Sequence, residues 1–187
     1  MVSVDVPDSS LRSPGTDWAE AVFALFKAYC VNVVPFVPDG AHMQLIQRCI
    51  DDPEIRAVTL TTEEEGVALA AGTFLGGQRA AILMQSSGVG NCVNMLSLPA
   101  ACNIPLVMIV TMRGEWGEFN PWQVPMGQST PAVLEASGVI VYRVDSVDQV
   151  VATVEGALTL AFSTRRQVAV LLSQKLLGAK NFARGDK

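Results

Sequence analysis

The chain has 187 residues, half of them hydrophobic and 17% charged, with a formal net charge of −5. That length suits one domain with a substantial core. Lys and Arg are scattered and form no basic stripe, so no nucleic-acid partner is expected. No apolar run approaches the roughly 20 residues needed to span a bilayer, so no membrane partner is expected either. The apolar richness points instead to surface buried against another subunit.

In chain order, the opening MVSVDVPDSSLRSPG is polar, broken by Pro and Gly, and lacks the basic and apolar regions of a signal peptide. Residues 1–16 are therefore expected to form a mobile tail of a cytoplasmic protein, with the folded domain over 17–180 and a second tail over 181–187. Asp17 to Tyr29 has amphipathic helical spacing. VNVVPFV (31–37) reads as a strand ended by Pro38-Asp39-Gly40. Residues 41–50 have helical spacing at Leu45, Ile46, Cys49 and Ile50, with His42 one turn inside. A strand over 55–61 leads into a helix over 63–75, stopped by Gly76-Gly77. A strand over 80–85 precedes the loop SSGVGN, a helix over 89–101 and a continuous apolar strand over 105–111. A long loop, 112–128, is followed by a short helix (131–137), a strand (139–144), a helix (147–163) and a last strand (168–173).

Strands that are apolar throughout are buried on both faces, and strands alternating with helices imply a parallel sheet. The fold class is therefore α/β: an open, mainly parallel six-stranded sheet with helices on both faces. Ligands of such sheets bind at the carboxyl ends of the strands. There lie Pro38-Asp39-Gly40, Thr61 to Glu65, Gln85 to Asn91, and Met112 to Gln128. The four cysteines, Cys30, Cys49, Cys92 and Cys102, make no CxxC pair and are expected to be buried reduced thiols. With one histidine and no ligand cluster, no metal ligands are expected on this chain.

The junction TTEEEG (61–66) opens a helix with three glutamates, where carboxylates meet the positive end of the helix dipole. Thr62 and Glu65 match a capping box, which gives Glu65 a structural task and leaves Glu64 as solvated charge. Position alone does not make Glu63 catalytic. A Gly-rich stretch such as QSSGVGN (85–91) is by itself no more than a tight turn before a helix. Asp39 is equally placed to cap the helix that follows it. In the sixteen-residue stretch 113–128, Arg113 suits either a structural salt bridge or an anion, and two tryptophans argue for an ordered lining.

The stretch EEEGVALAAGTFLGGQR (63–79) resembles the pyrimidine-binding domain of thiamine-diphosphate enzymes, in which the catalytic Glu precedes a helix Gly by nine positions. Counting back from Gly72 selects Glu63. LMQSSGVGNCVNMLSL (83–98) and IPLVMIV (104–110) are similar to the family's next strand, Gly-loop, helix and strand. RGE (113–115), QVPMGQSTP (123–131) and LEASGV (134–139) are similar to sulfopyruvate decarboxylase alpha subunits, and more loosely to phosphonopyruvate decarboxylases.

The resemblance implies that Glu63 hydrogen-bonds the cofactor's aminopyrimidine and favours the imino tautomer that deprotonates the thiazolium. It places Pro38, Asp39, Ser87, Gly88 and Asn91 against the cofactor, and His42, Arg113 and Gln123 against a 2-oxo-acid substrate. That substrate is sulfopyruvate, with phosphonopyruvate or an aryl 2-oxo acid as alternatives. A non-catalytic subunit reusing the fold is a further alternative. The family's Gly-Asp-Gly…Asn motif for diphosphate and Mg2+ is absent from the chain. A beta subunit carrying that domain, in an alpha2beta2 or larger assembly, is therefore expected to hold Mg2+.

Overall fold

A computed structural model describes residues 18–178. The tails expected over 1–16 and 181–187, and Asp17 at the start of the first helix, lie outside the described residues. Six strands form one sheet: β1 (Val31–Phe36), β2 (Arg56–Thr59), β3 (Arg79–Gln85), β4 (Leu106–Thr111), β5 (Ile140–Val144) and β6 (Gln167–Leu172). Their order is β2-β1-β3-β4-β6-β5, and every neighbouring pair is parallel.

The apolar runs of β3, β4 and β6 split by alternation into two cores. Ala81, Leu83, Val107, Ile109, Val168 and Val170 join one cluster. Ile82, Met84, Met108, Val110, Ala169 and Leu171 join the other. The first is covered by α1 (Trp18–Ala28), α2 (Met43–Asp51) and α7 (Val147–Thr164). The second is covered by α3 (Glu63–Leu75), α4 (Ser86–Cys92) and α6 (Val124–Ala136). The remaining helices are the short α5 (Ser97–Cys102) and α8 (Gln174–Leu177). In α7 the buried positions Val150, Val154, Ala157, Leu158 and Ala161 recur at helical spacing, which fixes the face turned to the sheet. Gly66 brings α3 close to the sheet: a Cβ there would stand 2.8 Å from the Leu60 side chain and 3.2 Å from Ile82.

Three sequence expectations are corrected. SSGVGN is not a loop: Ser86 follows directly on β3 and opens α4, and the expected helix over 89–101 is two short helices separated by a turn. The stretch 112–128 is more ordered than a loop, because Pro121–Gln123 form a 3-10 turn and α6 starts at Val124. Pro125 sits in the first turn of α6, where its missing N–H costs nothing. Gly127 is required: a Cβ there would overlap the Arg113 carbonyl oxygen. Third, the thiols divide. Cys49 and Cys92 are buried, and burial pushes each up to about 12, whereas Cys30 and Cys102 are exposed.

Candidate active site

Strand order reverses at β1, since β2 lies on one side of it and β3 on the other. The chain leaves β1 and β3 toward opposite faces, to α2 on one and α4 on the other, and sheets of this kind bind ligands at such a point. Glu63, at the first position of α3, is 8% exposed. Its carboxyl rests directly on Gly88, where a Cβ would overlap the Glu63 Cδ and Oε1. Asn91, three residues further along α4, donates from Nδ2 to Glu63 Oε2 at 2.8 Å. The two sequence motifs, Glu63 and the Gly-rich stretch, thus meet in one contact.

The neighbouring glutamates do other work. Glu65 Oε2 accepts the Thr61 N–H at 2.8 Å, so it braces the helix entry as expected. The capping box is not closed, because the Thr62 hydroxyl donates to Glu64 Oε2 at 2.6 Å and caps no backbone N–H. Glu64 is therefore tied down and half-buried.

Asp39 does not cap α2 with its side chain. Its carboxylate turns inward and accepts from Thr111 Oγ1 at 2.6 Å and Gln85 Nε2 at 3.2 Å. It therefore joins the carboxyl ends of β1, β3 and β4. Ser87 Oγ donates to Gln85 Oε1 at 3.1 Å and continues this chain. Pro38 is exposed beside Asp39.

His42 occupies the N-cap position of α2, not a place one turn inside it. Its ring is fully buried, 3.7 Å from Asp39 Oδ2 and edge-on to Trp18. Neither ring nitrogen has a hydrogen-bond partner among the described residues. Desolvation therefore outweighs the pull of Asp39, and the imidazole is pushed down to about 4 from 6.5. A neutral buried His stabilises the fold fully above pH 6.5. That contribution is lost as the pH falls from 6.5 toward 4, because only the unfolded chain takes up the proton there. The full effect is roughly 3 kcal/mol. Melting temperatures recorded between pH 4 and 7 should fall more steeply for the wild type than for His42→Gln. Parallel curves would mean that His42 is solvated.

Arg113 is held by Glu118: Nε donates to Oε2 at 2.6 Å and a terminal nitrogen to Oε1 at 2.5 Å. Glu118 is nearly buried and also accepts from the N–H groups of Gly114 and Asn120 and from Gln174 Nε2. The Arg113 guanidinium leads these donors in holding Glu118 down at about 2. The salt-bridge reading of Arg113 is the one this geometry realises. Glu118→Ala leaves Arg113 without its partner, which should cost about 3 kcal/mol. Denaturant unfolding measures that loss, and proteolysis should then cut between 113 and 123. An intact segment of wild-type stability would refute the locking role.

Gln174 and Thr111 were missed from sequence, while Gln85 and Glu118 lay in stretches singled out there but were given no role. Gln174 is buried at the carboxyl end of β6, and its Oε1 accepts from the N–H groups of Glu115 and Trp116. The sole available signal was position at a strand's carboxyl end. Gln123 Oε1 is buried without a hydrogen-bond partner among the described residues. Beside it, Pro121, Trp122, Pro125, Met126 and Ser129 line an open apolar groove, with Trp122 84% exposed. Among the described residues no three His, Cys, Asp or Glu side chains are grouped to hold a metal ion. No helix among them is long and apolar enough to cross a membrane.

The chain is 38% identical over 158 residues to sulfopyruvate decarboxylase subunit alpha of Methanothermobacter thermautotrophicus, covering 83% of this chain and 95% of the relative. It is 37% identical over 159 residues to sulfopyruvate decarboxylase of Methanosarcina acetivorans, covering 84% of this chain but 40% of that one. In fold it is similar to a solved 2-oxoglutarate:ferredoxin oxidoreductase from Magnetococcus marinus, with a TM-score of 0.70 at 16% identity. That match covers 86% of this chain and 29% of the other. The family described as "Thiamine pyrophosphate enzyme, N-terminal TPP binding domain" matches residues 16–123. With a match of that extent, and with an acidic residue seated in a glycine cradle at the strand crossover, this chain belongs to the thiamine pyrophosphate enzymes as their N-terminal TPP binding domain.

Proposed function

We propose that this chain is the alpha subunit of a thiamine-diphosphate-dependent decarboxylase that converts sulfopyruvate to sulfoacetaldehyde and CO2. The observation that carries the reading is the nearly buried Glu63 carboxyl, seated on Gly88 at the carboxyl end of the sheet. The residues fit the aminopyrimidine end of the cofactor. Glu63 offers a positioned carboxyl, and the missing Cβ of Gly88 leaves room for it. The buried Gln123 oxygen still lacks a donor.

When bound, thiamine diphosphate supplies the nucleophilic carbon and electron sink that CO2 loss from a 2-oxo acid requires. Glu63 holds and returns a proton at a ring nitrogen. Pro38, Asp39, Ser87 and Gly88 form the wall beside it, and Asn91 acts there through its bond to Glu63. Gln123 orients the substrate. Arg113 reaches a substrate anion only by releasing Glu118, and His42 reaches it only by leaving the core.

A beta subunit supplies the diphosphate site with its Mg2+, in an assembly of two alpha and two beta chains or larger. The relatives' lengths support this division. This chain matches nearly all of an alpha subunit but less than half of the Methanosarcina acetivorans sulfopyruvate decarboxylase. The assay is CO2 release from sulfopyruvate, phosphonopyruvate and aryl 2-oxo acids, with the chain alone and co-purified with its partner, cofactor and Mg2+. Turnover of sulfopyruvate by the pair, and by neither chain alone, is the expected result. No turnover of any 2-oxo acid would overturn the reading.

A further inference from the structure

Two contacts hold the Glu63 carboxyl, and they do different things. The Gly88 surface limits how far the group can swing toward α4. It does not set the plane of the two oxygens, because the terminal torsion of a glutamate is broad and roughly two-fold. The second contact is with Asn91, whose Nδ2–H donates to Oε2. Gly88 and Asn91 are three residues apart on α4 and so share one helix face. That spacing exists because α4 begins directly at the end of β3.

We propose that Asn91 is a positioning residue. By occupying Glu63 Oε2, it fixes the carboxyl plane and leaves Oε1 as the oxygen that exchanges the proton with the cofactor. This rests on the decarboxylase reading and deepens it, since it gives Asn91 a task on Glu63 in place of a direct contact with the cofactor. An amide suits the task, because its N–H donates to a carboxylate in a charge-assisted bond. An aspartate there would set a second carboxylate against Glu63. Asn91 is exposed in the chain, so its value lies in orientation more than in burial.

The test uses the co-purified complex with Asn91→Ala and Asn91→Asp, each alone and combined with Glu63→Gln. Decarboxylation rates and thiamine diphosphate affinity by calorimetry are both read. Asn91→Ala should lower kcat about tenfold, the worth of one hydrogen bond to a charged group. Asn91→Asp should lower it further. Cofactor affinity should stay at the wild-type value in Asn91→Ala. In the Glu63→Gln background, Asn91→Ala should cost nothing more, because residues acting through one another are not additive.

Equal losses in both backgrounds, or a tenfold weaker cofactor affinity, would make Asn91 a structural residue or a direct ligand. An unchanged kcat would also overturn the proposal. Should Glu63→Gln itself cost nothing, the decarboxylase role of Glu63 falls first and this inference with it. If Glu63→Gln is inactive while Asn91→Ala is not impaired, the inference alone fails.

Discussion

Glu63→Gln is expected to lower decarboxylation by the complex about 10²- to 10⁴-fold, the range for losing a general acid–base group. Glutamine keeps the length, the volume and an oxygen for Asn91 to donate to at Oε2. What it loses is the ability to take and return a proton. The fold should therefore tolerate the change, and the melting temperature should stay near that of the wild type. Glutamate at 64 or 65 does not substitute, because Glu64 is bound to Thr62 and Glu65 to the Thr61 N–H. Glu64→Gln is the matched control and should retain most activity. A Glu63→Gln rate within tenfold of wild type would place the proton exchange elsewhere.

Gly88→Ala should give a loss of similar kind by a different route. The added Cβ occupies the space of the Glu63 Cδ and Oε1. The atoms in its way are the end of a flexible side chain, so the backbone can stay while the carboxyl leaves. Two stability effects then oppose each other. Alanine in a helix interior is worth about 1 kcal/mol over glycine. Losing the Asn91 bond to a charged group costs about 1.5–3 kcal/mol. The net loss in unfolding free energy is therefore about 0.5–2 kcal/mol, whereas the rate should fall by at least about 10²-fold. Thermal unfolding and steady-state kinetics on one preparation separate the two. An active Gly88→Ala enzyme would show that Glu63 works from another position.

The same residues explain which parts of the site were legible beforehand. Glu63 was singled out among three carboxylates by its register with Gly72, and the structure seats Glu63, and neither neighbour, on Gly88. The Gly-rich stretch was read as a turn because each helical glycine costs about 1 kcal/mol. Contacts with α3 and α6 offset that cost: Gly88 takes the Glu63 carboxyl, and a Cβ on Gly90 would stand 3.1 Å from Met126 Sδ. The start of α6 was hidden by Pro125, Gly127 and Pro131 for the same reason. Local propensity scores each of these residues against a helix, and tertiary close approach required Gly127.

By itself the sequence determined the strands and the two-faced α/β class, and both follow from patterns a few residues long: alternation and helical period. Glu63 was picked out by resemblance to a family motif, not by any local pattern. Only the tertiary structure decided who touches whom. Asp39 meets Thr111 across 72 positions, and Asn91 meets Glu63 across 28. Arg113 is taken up by Glu118, and His42 went into the core beside Trp18. The physical reason is that burial and hydrogen bonding are settled by the packing of whole elements. A local pattern reports which face of an element is apolar and carries no record of the polar partner that arrives from a distant strand end.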